Sequence, residues 1–168
     1  MTQIAIFAHY DKNKKIEDYV VHLLKEITKI ADKIIFVSDC ELDTKELDKI
    51  RDFIFVSIVG HHGEYDFGSY KRGYLYALEN HLLADCEQLI FLNDSCYGPL
   101  YPLKEMFEVM DSKNPDVWGI TAGFNSHFGR ETHIQSYFVV MKPSVFLNES
   151  FKNFICSIQK QDKKMDIV

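Results

Sequence analysis

An apolar run, Phe91-Leu92, leads straight into Asn93-Asp94-Ser95 and then Cys96-Tyr97-Gly98-Pro99-Leu100. A carboxylate released at the end of a buried strand is well placed to hold Mg²⁺ or Mn²⁺, which can bridge to diphosphate oxygens. Asp94 is therefore the candidate metal ligand. Asn93 and Ser95 are candidates for orienting it, or for bonding a ribose or phosphate. The same residue types also build an Asx-turn, in which the Asp94 side chain closes onto its own backbone. Residue type alone leaves both readings open.

A second group runs from His61-His62-Gly63-Glu64 through Tyr65-Asp66-Phe67-Gly68 to Lys71-Arg72-Gly73. Two glycines flank an acid and an aromatic where a helix should start, and backbone N–H groups at a helix start favour anions. Asp66 could cap that helix or bond a base or ribose, and Lys71 could face a diphosphate. The plainer reading makes Asp66 a cap and leaves the two basic residues solvated. The paired histidines suggest a metal, but adjacent residues rarely aim at one ion.

A third group begins at Trp118-Gly119-Ile120-Thr121 and resumes, after a polar loop over 122–132, at His133-Ile134-Gln135-Ser136-Tyr137-Phe138. Strand alternation puts His133, Gln135 and Tyr137 on one face, where His133 and Gln135 could reach a shared cleft. Glu131, just before them, is the one nominated general base. A polar edge strand explains the same pattern. Near the N-terminus, His9-Tyr10-Asp11 follows an apolar run. Tyr10 could stack on a base, and His9 sits where a nucleotide would enter.

These groups need elements to position them. Gln3–His9, Lys33–Ser38, Phe53–Val59, Gln88–Leu92, Val117–Thr121 and Ile134–Met141 read as strands. Lys14–Ile30, Thr44–Ile50, Gly68–Leu83, Leu103–Met110 and Phe151–Lys160 read as helices, with Thr44 a plausible cap and Pro102 near a helix start. Strands and helices alternate with short connections. That order predicts an α/β fold, a mostly parallel sheet with helices on both faces. Ligands of such sheets bind beyond the carboxyl ends of the strands, where strand order reverses. Each polar group above follows a strand or precedes a helix at that end.

The chain length of 168 residues suits one domain, and a hydrophobic fraction of 46% can supply its core. A net charge of −6 argues against nucleic-acid binding, which needs a basic stripe. Cys40, Cys86, Cys96 and Cys156 show neither CxxC nor zinc spacing and read as free thiols of a reducing compartment. No segment approaches a membrane span and no leader precedes Ile4, so a cytoplasmic location is expected.

Five blocks in order carry a resemblance. His9-Tyr10-Asp11, Tyr65-Asp66-Phe67-Gly68-Ser69-Tyr70-Lys71-Arg72-Gly73, Asn93-Asp94-Ser95-Cys96-Tyr97-Gly98-Pro99-Leu100, Asp116-Val117-Trp118-Gly119-Ile120-Thr121 and His133–Phe138 resemble the "HYD", "GYDFGAYKxG", "NDSxYGPL", "DxWGxT" and "HxQSYF" stretches of the rhamnan synthesis protein F family. The resemblance implies a Rossmann-like, GT-A-type nucleotide-sugar-binding domain of a glycosyltransferase in cell-surface polysaccharide assembly. It implies a nucleotide-diphosphate sugar donor, rhamnose being the family's eponymous sugar, and a polysaccharide or lipid-linked glycan acceptor. It also implies a divalent cation at Asp94 and room for peripheral association with the inner membrane face or with other transferases. His62-Gly63-Glu64 stands where the family tends to have Asn-x-Gly, so Glu64 could reshape the donor pocket. Related chains usually continue into an acidic helical segment that often holds the catalytic base. The expectation is therefore a transferase shortened at its C-terminus or, alternatively, an inactive nucleotide-sugar-binding module or partner subunit. A receiver-like domain is disfavoured because the third strand ends in Val59-Gly60-His61 rather than an isolated Asp.

Overall fold

A computed structural model describes residues 2–125 and 131–160, with the side chains of Phe124, Asn125 and Glu131 outside that description. Six strands form the main sheet: β1 (Thr2–His9), β2 (Lys33–Ser38), β3 (Val56–Val59), β4 (Cys86–Asn93), β5 (Val117–Gly119) and β8 (Phe138–Met141). Their spatial order is β3-β2-β1-β4-β8-β5. The first four run parallel, and β8 lies antiparallel to both β4 and β5. A separate hairpin pairs β6 (Ala122–Asn125) with β7 (Glu131–Ile134). The helices are α1 (Asp18–Ile27), α2 (Thr44–Asp48), α3 (Tyr65–Glu79), α4 (Leu103–Lys113), α5 (Pro143–Phe146) and α6 (Glu149–Ser157).

The central stretches of β1, β2 and β4 are unbroken apolar runs because both faces of the sheet are covered there. In β1, Ala5 and Phe7 join the core beneath α1 and α4, with Leu24, Ile27 and Phe107. Ile4, Ile6 and Ala8 join the opposite core beneath α3 and α6, with Tyr70, Tyr74 and Ile155. Helix α3 comes close to β1 at Gly73, where an added Cβ would lie 2.3 Å from Ile6 Cγ2. Tyr70 stacks on Phe91 of β4 with ring centroids 4.5 Å apart. The strand nearest the site is thus clamped from the α3 side.

Four expectations need correction. Helix α1 starts at Asp18 rather than Lys14, because Asp11 Oδ1 accepts from the N–H groups of Asn13 (2.8 Å) and Lys15 (3.1 Å) and holds that segment in a turn. The α2 cap is Asp43, not Thr44, and its side chain accepts from Glu46 N. Helix α3 begins at Tyr65, before Gly68, and this takes Asp66 into its first turn. The strand expected over Ile134–Met141 is two strands: Gln135 N bonds Thr121 O at 3.0 Å while Asn93 N bonds Tyr137 O at 3.2 Å, so the segment between them leaves the hairpin and passes the end of β4. Of the loop expected over 122–132, residues 126–130 lie outside the described residues.

Candidate functional site

β1 has β2 on one side and β4 on the other, so strand order reverses between β1 and β4. Their carboxyl ends carry His9-Tyr10-Asp11 and Asn93-Asp94-Ser95, and the structure brings these two groups together. The Tyr10 N–H donates to Asp94 Oδ2 at 3.3 Å, across the seam. The Asp94 side chain keeps 13% of its surface exposed. It is neither sealed in the core nor freely hydrated. Burial pushes its carboxyl up to about 7, and the negative charges of Asp66 and Asp11 add to that shift against the opposing Tyr10 N–H.

Asn93 is buried and uses both ends of its amide. Nδ2 donates to Asp66 Oδ2 at 2.7 Å, and Oδ1 accepts from Ser95 N at 3.0 Å. The Asx-turn expected here therefore exists, but it is Asn93 that closes it. The Asp94 carboxyl stands outside that turn, where its own N–H and that of Tyr10 favour its charged form and the charge of Asp66 opposes it. Ser95 is exposed on the outer side of that turn. Tyr10 is 57% exposed, which suits a ring offered to a ligand.

His9 is buried instead of facing a ligand. Its Nε2 donates to the Lys15 carbonyl (3.1 Å), and its Nδ1 lies 3.0 Å from the Ser38 Oγ. Burial lowers its pKa to about 4, so it is neutral, and its Nε2 stands 3.8 Å from Asp94 Oδ2. It is a neutral, buried strut at the end of β1, with both ring nitrogens engaged within the chain.

A second polar network orders the loop into α3. Asp39, just past β2, accepts from the N–H groups of His62 (2.5 Å) and Gly63 (2.9 Å), with His61 Nδ1 3.1 Å from the same oxygen. Gly63 takes φ 69°, a left-handed conformation that favours glycine. The His62 Nδ1 accepts from Glu64 N (3.1 Å), so its Nε2 donates to Ser69 Oγ (3.0 Å). That proton direction rules out activation of Ser69 as a nucleophile by His62. Desolvation lowers the His62 pKa to about 4. The two histidines thus serve the loop.

Lys71 lies five residues from Asp66, about 140° around the helix. It is turned away from the Asp94 crevice, to Glu64 Oε2 at 2.5 Å and the Ile158 carbonyl at 2.6 Å. Arg72 also pairs with Glu64, at 2.9 Å. Burial of Glu64 opposes ionisation, but Arg72 and Lys71 more than offset it and hold the carboxyl down to about 2. Glu64 has φ −108°, which any residue adopts, and its carboxylate is occupied by these two cations.

His133 and Gln135 are exposed at the hairpin. The His133 ring lies over Gly123, and Gln135 Oε1 accepts from Thr121 Oγ1 at 2.7 Å. Glu131 opens β7, and its side chain lies outside the described residues. The residues after Gln135 do reach the end of β4, since Tyr70 Oη donates to the Ser136 carbonyl at 2.9 Å and Asn93 N to the Tyr137 carbonyl. Three further residues contribute, of which sequence reasoning singled out Asp11 and Asp39 only as polar residues after strands, with no role assigned. Asp11 shapes the turn and adds charge near Asp94. Asp39 anchors the loop into α3. Tyr19 lies with its ring 4.5 Å from that of Tyr97. Tyr19 stood in the apolar face of its helix, and that pattern hid its place beside Asp94, whose charge joins burial in raising the Tyr19 hydroxyl pKa.

Among the described residues no group of three or more His, Cys, Asp or Glu converges to hold a metal by itself. Mg²⁺ and Mn²⁺ that bind a diphosphate usually take one or two carboxylates and complete their shell with phosphate oxygens and water. Asp94, with Asp66 held beside it, fits that smaller donor set. The four cysteines are free, Cys40 and Cys86 buried, Cys96 and Cys156 exposed. No helix among the described residues is long and apolar enough to cross a membrane.

A family profile described as "Rhamnan synthesis protein F" matches residues 34–168. No individually curated protein matches the sequence significantly. Among solved structures, the fold is similar to the mannosyltransferase Ktr4p from S. cerevisiae in complex with GDP, with TM-score 0.54 and 9% identity. That likeness covers 92% of this chain and 60% of the other, so the chain spans about three fifths of that protein's length. It is also similar to a 4-diphosphocytidyl-2C-methyl-D-erythritol synthase, with TM-score 0.55, 12% identity, and 99% and 95% of the two chains covered. At such identities the likeness speaks for the fold, a Rossmann-like GT-A type with a mostly parallel sheet.

Proposed function

Because the chain belongs to the rhamnan synthesis protein F family, a glycosyltransferase-like family, we propose that it moves a sugar from a nucleotide diphosphate donor to an acceptor hydroxyl of a growing cell-surface polysaccharide. Rhamnose is the first donor sugar to test. We read residues 1–168 as one domain working in the cytoplasm, at the inner membrane face when partners recruit it. The observation that carries the reading is the place of Asp94, on the β1/β4 seam, with Tyr10 N–H on its Oδ2 and burial raising its pKa to about 7.

Burial makes the ionised Asp94 costly, and either a proton or a cation relieves that cost. Asp94, with Asp66, would hold a Mg²⁺ or Mn²⁺ ion, which when bound neutralises charge on the departing diphosphate. Asn93 keeps Asp66 aimed at the seam through its 2.7 Å hydrogen bond. Tyr10 offers an exposed ring to the base. Ser95, with its hydroxyl on the outer side of the Asn93 turn, bonds ribose or phosphate. Gln135 and His133, exposed on the β6–β7 hairpin, are assigned to the transferred sugar. Glu131 is nominated as the base that takes the acceptor proton.

Isothermal calorimetry with Mn²⁺ and a panel of nucleotides and sugar nucleotides, deoxythymidine diphosphate rhamnose included, tests the reading. One nucleotide should bind in a Mn²⁺-dependent way that Asp94→Ala abolishes. Equal binding by wild type and Asp94→Ala removes Asp94 from the role. Binding without transfer to any acceptor favours the alternative, a nucleotide-sugar-binding module serving a partner subunit.

A further inference from the structure

Between Asp94 and α4 the chain turns three large side chains to solvent. Tyr97, Leu100 and Tyr101 are 82%, 88% and 82% exposed. Side chains of this size crowded into five residues form an apolar patch of the kind that marks a contact site. The patch reaches toward Asp94, whose charge is felt by Tyr19. Tyr97 packs its ring on Tyr19 of α1, centroids 4.5 Å apart and planes at 54°. The loop after β4 and the helix after β1 therefore meet through two tyrosines at the mouth of the β1/β4 seam.

We propose that Tyr97, Leu100 and Tyr101, braced by Tyr19, form the platform on which the acceptor saccharide lies. This rests on the transferase reading and adds the side of the crevice from which the acceptor arrives. A pyranose ring has an apolar C–H face and a rim of hydroxyls. Tyrosine matches both, with a ring face for stacking and a hydroxyl that donates and accepts. A bilayer is the other surface that takes exposed Tyr and Leu. Recruitment to anionic lipid relies on Lys and Arg clusters, and from Asp94 to Glu105 the one basic residue is Lys104 against those two acids in a chain of net charge −6. The saccharide is the better match.

The test compares the full chain with Leu100→Ala/Tyr101→Ala, two exposed positions that touch neither Asp94 nor its partners. The probes are a rhamnose trisaccharide and maltotriose, read by saturation-transfer NMR. At least one trisaccharide should receive saturation from the wild type, and the double variant should bind it about tenfold more weakly. Mn²⁺-dependent nucleotide binding should be unchanged. No transfer to either trisaccharide from the wild type, or equal transfer from both proteins, overturns the platform. So does sedimentation of the wild type, but not the double variant, with phosphatidylglycerol vesicles. Loss of nucleotide binding in the wild type sinks the donor reading alone, because the saccharide readout needs no nucleotide.

Discussion

Asn93 Nδ2 donates to Asp66 Oδ2 at 2.7 Å, so the last residue of β4 holds the first turn of α3. The bond crosses the carboxyl edge of the sheet and fixes the two acids of the crevice relative to each other. Asn93 is buried, and its other amide end closes the turn under Ser95.

Asn93→Ala should therefore lose about 1.5–3 kcal/mol of stability, since the bond ends on a charged group and the truncation leaves Ser95 N without its acceptor. Urea unfolding measures the loss. Mn²⁺-dependent nucleotide binding should weaken as well, because Asp66 loses its guide. A variant with wild-type stability and wild-type affinity would show that the bond does not order the site.

How much of this was readable beforehand depended on whether a pattern was local. The strands of the parallel half were legible because both sheet faces are buried, which writes them as unbroken apolar runs such as Ile4–Ala8 and Ile34–Val37. The placement of Asp94 followed from β4 alone. The role of Lys71 did not. It depends on where α3 starts and hence on which side of the helix faces Glu64. The burial of His9 was hidden for a similar reason. Its position at a strand end suggested a ligand contact, whereas its enclosure comes from Lys15 and Ser38, six and twenty-nine residues away. The break between β7 and β8 was also hidden, since His133–Met141 alternates without a glycine or proline to mark it. The break is set by the partners of Gln135, Ser136 and Tyr137 elsewhere in the chain.

Gly73→Ala tests the seat of α3. Alanine in an open helix position stabilises relative to glycine by roughly 0.5–1 kcal/mol. Here the new methyl would lie 2.3 Å from Ile6 Cγ2, with both residues in the core. Overpacking of that kind destabilises by about 1–3 kcal/mol and should outweigh the helix gain. A lowered melting temperature is expected. A raised one would mean that α3 shifts freely on β1, which the Tyr70–Phe91 stack argues against.

Glu64 should govern acid sensitivity. Against the pull of burial, Arg72 and Lys71 hold its carboxyl at about 2, below the ordinary value of 4.5. The stabilisation is present above about pH 4.5 and fades as pH falls through 2, because only the unfolded chain takes up a proton between those values. At roughly 1.4 kcal/mol per unit, a drop of that size corresponds to at most about 3.5 kcal/mol. Glu64→Gln should thus be destabilised at pH 7, with its deficit closing as pH approaches 2. Chemical unfolding at pH 7, 4 and 2.5 measures the difference. A deficit independent of pH would assign the loss to packing rather than to the ion pairs.

Asp94 has the opposite sign. Its carboxyl stands at about 7 in the folded chain against an ordinary 3.8. Between those values the folded protein holds a proton that the unfolded chain has released. The contribution is complete below about pH 4 and lost as pH rises through 7, a change of at most about 4 kcal/mol. Asp94→Asn cannot lose that proton, so in EDTA it should melt above the wild type at pH 8 and level with it near pH 4. Added Mn²⁺ acts on the same group. It should raise the wild-type melting temperature at pH 8, with a gain that shrinks toward pH 5 as the proton competes for the carboxylate, and leave Asp94→Asn unmoved. Parallel melting curves for the two proteins across the pH range, or an equal response of both to Mn²⁺, would mean that Asp94 is neither buried as charge nor a cation ligand.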